Sequence, residues 1–233
     1  FRDELYYLSC ARRLAWGYVD QPPFSAAVLA LIRAAGGESL ALIRAVAALV
    51  GAGGAVVTGL VARELGGRRF AQALATLAFG LAPISLGIAH VYSMNVFDVL
   101  FWGMGTLLAL RALRRGSTGS WLALGVVLGL GLLNKWSVVW LGAGLAVALA
   151  ASPERRQLAT LAPWLGAGVA ALIFSPHVLW EVRNGWPTLE FMHNARTQKM
   201  IALEPLKFLL NQSLALGPGA ASLWIAGFIA ALR

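Results

Sequence analysis

Charge in this chain is confined to short clusters, and long apolar runs lie between them. This constrains the fold more than any other feature, because roughly 20 consecutive apolar residues can cross a bilayer as a helix. Within hydrocarbon the backbone has no water to bond, so a spanning segment must satisfy its own N–H and C=O groups. The 233 residues are 59% hydrophobic and 12% charged, whereas soluble domains carry about 25% charged residues. The reading is all-α: a polytopic transmembrane helical bundle. A single cysteine, Cys10, excludes an internal disulfide framework and a thiolate metal cluster. The 26 glycines form no phosphate loop or dinucleotide fingerprint, and read as close-packing positions between membrane helices.

Spanning segments are expected near 39–62, 70–90, 95–113, 119–134, 137–151, 158–180 and 213–232. The pair flanking Asn134-Lys135-Trp136 is short, which suits a hairpin of broken or tilted helices. Residues 3–16 are too polar to span and suit a helix lying on the membrane surface. Gly17 stops it, and Asp20-Gln21-Pro22-Pro23 turns the chain into a second interfacial helix near 23–35. The opening Phe1-Arg2-Asp3-Glu4 is neither an initiator methionine nor the start of a signal peptide. The expectation is a fragment, lacking a preceding membrane helix and a C-terminal remainder, within one domain over 1–233.

Orientation follows from the basic loops. Those after the first, third, fifth and last spans carry nine basic residues against two acids, and the opposite side carries ten against eight. The basic loops are therefore expected in the cytoplasm. The outer face then receives segment 1–38, the 90–95 connection, the Lys135 turn and the loop 181–212. The net charge of +9 is spread over these loops in a pattern that argues against nucleic acid.

Asp3, Glu4, Asp20, Asp98, Lys135, His177, Arg183, His193 and Arg196 all fall on this outward side. Charge near hydrocarbon is expensive, so a one-sided collection of both signs points to an interfacial site. Each residue also has a plainer reading. Asp3 and Glu4 suit a helix N-terminus, as does Asp98. Lys135 suits either a snorkelling side chain or a phosphate ligand. His193, Arg196 and Lys199 suit a solvated helix face, and His177 and His90 suit interface positions.

Asp-Glu-Leu-Tyr-Tyr at 3–7 followed by Gly-Tyr-Val-Asp-Gln-Pro-Pro at 17–23 resembles the first outer loop of a family of bacterial membrane glycosyltransferases. These are relatives of the dolichyl-phosphate-mannose protein mannosyltransferases and the lipid A aminoarabinose transferases. Asn-Val-Phe-Asp at 95–98, Leu-Leu-Asn-Lys at 132–135, Ser-Pro-His at 175–177 and the stretch 180–191 follow in the family's order. The resemblance implies the GT-C architecture and a polyprenyl-phosphate sugar donor. Asp3 matches the acidic position taken as general base, Glu4 its neighbour, and Asp98 the second carboxylate. Asp20 matches an acid that binds a divalent metal ion in the aminoarabinose transferases, and His193 the histidine that shares it. Gln21 stands where those enzymes have lysine, which leaves Lys135, Arg183 and Arg196 as candidates for the donor phosphate.

The implied reaction moves a sugar from polyprenyl phosphate to a lipid, polysaccharide or protein acceptor at the outer face of the inner membrane. A single displacement would invert the anomeric centre. A base takes the acceptor proton, and cations or a metal absorb charge on the leaving phosphate. A transporter or flippase is the rival from another class, disfavoured by one-sided charges and the lack of an internal repeat. A scaffold subunit is a second rival, and would not need Asp3 and Asp98 together.

Overall fold

A computed structural model describes residues 2–198, 200 and 204–231, and no strand occurs among them. The chain opens with α1 (Arg2–Arg12) and α2 (Phe24–Gly36), followed by the long α3 (Leu40–Glu64). Next come α4 (Arg69–Gly80), α5 (Pro83–His90) and α6 (Met94–Arg115). A hairpin of α7 (Thr118–Leu132) and α8 (Val138–Ala151) leads through a short 3-10 segment (Pro153–Ala159) into α9 (Leu161–Arg183). The remainder is α10 (Pro187–Gln198), α11 (Pro205–Leu216), a 3-10 turn (Pro218–Ala220) and α12 (Ala221–Ala231).

Three helices, α3, α6 and α9, are long and apolar enough to cross a membrane. Two bent pairs raise the number to five if each is one span: α4–α5, bent by 58°, and α11 with α12, bent by 94°. The first bend falls where Pro83 starts a new helix without an N–H to offer. The sequence predicts seven spans, and the difference lies chiefly in α7 and α8. At 15 and 14 residues each is only about 22 Å long, short of the roughly 30 Å of hydrocarbon. Arg233 lies outside the described residues.

Helix boundaries follow local chemistry. Ser93 and Ser117 cap α6 and α7, their hydroxyls accepting the N–H of Asn95 and Ser120 at 3.3 Å each. Gly116 ends α6 with a φ of 60°, its N–H on Ala112 O at 2.8 Å. Pro176 inside α9 supplies no N–H for the Leu172 carbonyl, and the Ser175 hydroxyl bonds that oxygen instead at 2.8 Å.

The packing order is α4 on α3, α3 on α6, α6 on α7 and α7 on α9, with α1 lying on α2. The α7–α9 contact depends on small residues: a Cβ on Gly125 would meet Gly166 O at 2.1 Å, and one on Gly166 would meet Trp121 O at 2.4 Å. One apolar core joins α1, α2, α3 and α6 through Tyr7, Leu29, Ile43, Tyr92 and Phe97. A second, around Trp121 and Leu124, lies between α6, α7 and α8. Large apolar side chains such as Phe70, Trp140, Leu161 and Leu172 point outward, as helices facing lipid require.

Candidate functional site

One end of the bundle gathers α1, α2, the 90–95 connection, the α7–α8 turn and the C-terminal turn of α9. Backbone bonds tie these parts together: Phe24 N–H to Leu133 O at 2.9 Å, and Met94 N–H to the Tyr7 hydroxyl at 3.0 Å. The Tyr92 hydroxyl donates to Ser25 O at 2.7 Å, and Asn134 Nδ2 to Met94 O at 2.9 Å. Asp3, Glu4 and Lys135 sit on these parts, Asp98 lies in the first turns of α6 beside them, and His177 Nδ1 ties α9 in through the Trp16 carbonyl oxygen. At the opposite end Glu64 pairs with Arg111 at 2.7 Å and Arg114 at 3.7 Å.

The two acids of α1 have opposite fates. Glu4 is 2% exposed and forms a bidentate pair with Arg44 of α3, Nε to Oε1 at 3.0 Å and an Nη to Oε2 at 2.9 Å. The Tyr92 N–H adds a longer bond of 3.4 Å. The Arg44 bonds hold the Glu4 carboxyl below its ordinary range against the opposing effect of burial, and the Tyr92 bond assists. Asp3 is exposed and makes no hydrogen bond or ion pair with the described residues. It lines a cleft of 420 Å³ together with Ser93 and Asn95 and the α5 residues Ile84, Gly87 and Ile88.

Asn95 links that cleft to a second polar group. Lys135 Nζ donates to Asn95 Oδ1 at 2.9 Å and lies 3.3 Å from Asp98 Oδ2. The Ser137 hydroxyl donates to Asp98 Oδ1 at 2.6 Å, which leaves both carboxylate oxygens engaged. Asp98 is buried, while the Lys135 side chain keeps 32% of its surface open. The lysine is therefore positioned by two acceptors yet still able to meet an anion.

The other sequence candidates make no hydrogen bond or ion pair with this group among the described residues. Asp20 is half-buried and takes the Tyr6 hydroxyl. Arg183 is exposed at the end of α9, and His193 and Arg196 are exposed on α10. Lys199 lies outside the described residues. No hydrogen bond joins Asp20 to His193, and no group of three or more His, Cys, Asp or Glu side chains able to hold an ion occurs among the described residues. The donor set as arranged does not fit a divalent metal ion.

Four participants escape a reading of the sequence alone. Arg44 looks like an ordinary basic residue near a helix start, and its partner is 40 positions away. Asn95 and Ser137 are common polar residues whose roles emerge only when α6 meets the α7–α8 turn. Glu181, completely buried, had a local signal in its i,i+4 spacing from His177.

The sequence profile of the dolichyl-phosphate-mannose-protein mannosyltransferase family matches residues 20–180. The chain belongs to this family. That assigns it to the GT-C type, in accord with an all-α membrane fold. The match takes in Asp20, Asp98, Lys135 and His177 and leaves out Asp3 and Glu4. This mannosyltransferase-family chain is 26% identical over 185 residues to the lipid A galacturonosyltransferase RgtD of Rhizobium johnstonii, covering 79% of the chain and 39% of that protein. It is 29% identical over 229 residues to the lipopolysaccharide core galacturonosyltransferase RgtB of the same organism, covering 93% and 43%. The chain thus spans about two fifths of the length of the curated relatives it matches. No solved structure matches it.

Proposed function

We propose that this chain carries the catalytic face of a membrane glycosyltransferase that moves a sugar from a polyprenyl-phosphate donor to a lipid A or lipopolysaccharide acceptor. The observation that carries the proposal is the contrast within α1: Glu4 is consumed by Arg44, whereas Asp3 pairs with none of the described residues and lines a cleft shared with Asn95, the acceptor of Lys135. A general base must be free to accept a proton, and Asp3 meets that condition. The names of both relatives support a hexuronic acid as the sugar and an outer-envelope glycolipid as the acceptor. The end that carries Asp3 and Lys135 would face the exterior, periplasmic in a bacterium, with the basic loops in the cytoplasm.

In the proposed reaction an acceptor hydroxyl attacks the anomeric carbon. Its proton passes to the Asp3 carboxylate, and the bond from carbon to phosphate oxygen breaks with its electron pair on the phosphate. Lys135 meets the charge that develops on that leaving group. Asp98 and Asn95 hold the ammonium in place, and Arg183 and Arg196 are exposed cations available to the same anion from the outer segments. Attack opposite the leaving phosphate inverts the centre in one step.

The test is transfer by the full-length protein in proteoliposomes, with a panel of radiolabelled polyprenyl-phosphate sugars that includes uronic acids. Asp3→Asn should fold normally and lose about a hundred-fold or more in rate, the usual weight of a general base. Folded wild-type protein that neither turns over nor binds any of these donors would refute the reading.

A further inference from the structure

The C-terminal turn of α9 holds a buried acid–histidine pair that the proposed reaction does not use. His177 and Glu181 are both 0% exposed. His177 Nδ1 lies 2.8 Å from the Trp16 carbonyl oxygen. That oxygen can only accept, so Nδ1 carries a proton. His177 Nε2 sits 3.6 Å from Glu181 Oε1 and has no hydrogen-bond partner among the described residues. Glu181 in turn holds the start of α10. Its carboxylate accepts the Thr188 hydroxyl and, at 3.4 Å, the Thr188 N–H, and its own carbonyl accepts the Trp186 N–H at 2.8 Å.

The turn so held is not relaxed. Gly185 and Trp186 have φ of 74° and 60°, and for tryptophan a left-handed conformation is unfavourable without outside support. On the other side of the pair, Gly17 packs so closely that a Cβ there would lie 2.3 Å from the Trp180 ring and 2.8 Å from His177 Nδ1. The His177 ring stacks on Trp180 and meets the ring of Trp136 edge-on, with centroids 5.7 Å apart. Trp136 immediately follows Lys135.

We propose that His177 and Glu181 are positioning residues for donor phosphate. They clasp the Trp16-Gly17 loop, the Lys135-Trp136 turn and the start of α10 into one unit, and so hold Lys135 where the leaving group needs it. This rests on the transferase reading above. Nothing in the pair touches substrate; it acts through Trp136 on Lys135 and through Thr188 on the segment that carries Arg196. Isolated carboxylates are not buried without such partners.

Glu181→Gln and Glu181→Leu separate this role from general support. The glutamine amide can still accept from Thr188 and can donate to the bare His177 Nε2, whereas leucine fills the space and offers neither. With full-length protein in proteoliposomes, Glu181→Leu should lower kcat/KM for the polyprenyl-phosphate sugar about ten-fold, with a loss in kcat, and leave the acceptor KM within about two-fold of wild type. Glu181→Gln should keep the wild-type donor kcat/KM. An unchanged donor kcat/KM in Glu181→Leu, or a glutamine variant no better than leucine, overturns the proposal. Thr188→Val removes one hydroxyl and serves where Glu181→Leu does not fold. Its hydrogen–deuterium exchange should quicken together at 15–18, 135–138 and 186–190, and quickening confined to 186–190 overturns the clasp. That readout needs no turnover, so it judges the clasp even if the wild type binds no donor and the transferase reading fails.

Discussion

Asp3 and Glu4 are chemically alike and adjacent, yet a helix turns successive side chains about 100° apart. One faces Arg44 and the core; the other faces the cleft. Their substitutions should therefore fail in different ways. Asp3→Asn should cost rate and leave stability intact, whereas Glu4→Gln should weaken the contact with Arg44 and cost stability. Because the Arg44 side chain is 29% exposed whereas Glu4 is buried, Arg44→Ala should lower stability through the carboxylate it leaves behind, as read by denaturant or thermal unfolding in detergent.

The same pair sets an acid dependence. Folding depresses the Glu4 carboxyl below its ordinary value of 4.5. Its contribution is thus fully present above that unfolded value and is lost as pH falls through the lower folded one. The wild-type thermal midpoint should drop as pH falls below about 4.5, and Glu4→Gln should lack that part of the drop. An identical pH profile in the two proteins would show that the pair carries no linked stability.

At the scale of helices, the contact of α7 with α9 is made by absence of side chains. Gly125 and Gly166 bring the backbones so close that no Cβ fits. Gly125→Leu should therefore separate the two helices and lower the thermal midpoint far more than Gly119→Leu, where a Cβ would meet nothing within 4 Å. Element types and most boundaries were readable because apolar runs and their Ser, Gly and Pro borders are local signals. The expected helix over 95–113 is Met94–Arg115, and the helix expected near 23–35 is Phe24–Gly36. What stayed hidden were facts of distance. Nothing near Arg44 announces Glu4, and nothing near Lys135 announces Asn95, because each contact closes a loop of 40 residues. The α4–α5 bend is intermediate: Pro83 is visible, but its effect on one continuous apolar run is not.

For the whole molecule the outstanding property is polarity from end to end. One end carries Glu4–Arg44 and Lys135–Asp98; the other carries Glu64 with Arg111 and Arg114. Both ends hold ion pairs, so pairing alone does not orient the bundle in a membrane. The net surplus of arginine in the loops beside Glu64 supports the proposed orientation with that end in the cytoplasm, by the bias of cytoplasmic loops toward Lys and Arg. Single cysteines decide the matter against a clean background. Cys10 is buried, and burial pushes its thiol up, so it reacts slowly, and Cys10→Ser removes it altogether. In that background Gly116→Cys, beside Arg114 and Arg115, should react with a membrane-impermeant maleimide only after cells are opened. Asn184→Cys, in the exposed turn after α9, should react in intact cells once the outer membrane is permeabilised. Because α6 and α9 are both candidate spans, the reverse labelling would turn the entire bundle over. It would place Asp3 and Lys135 in the cytoplasm, out of reach of an acceptor on the outer leaflet.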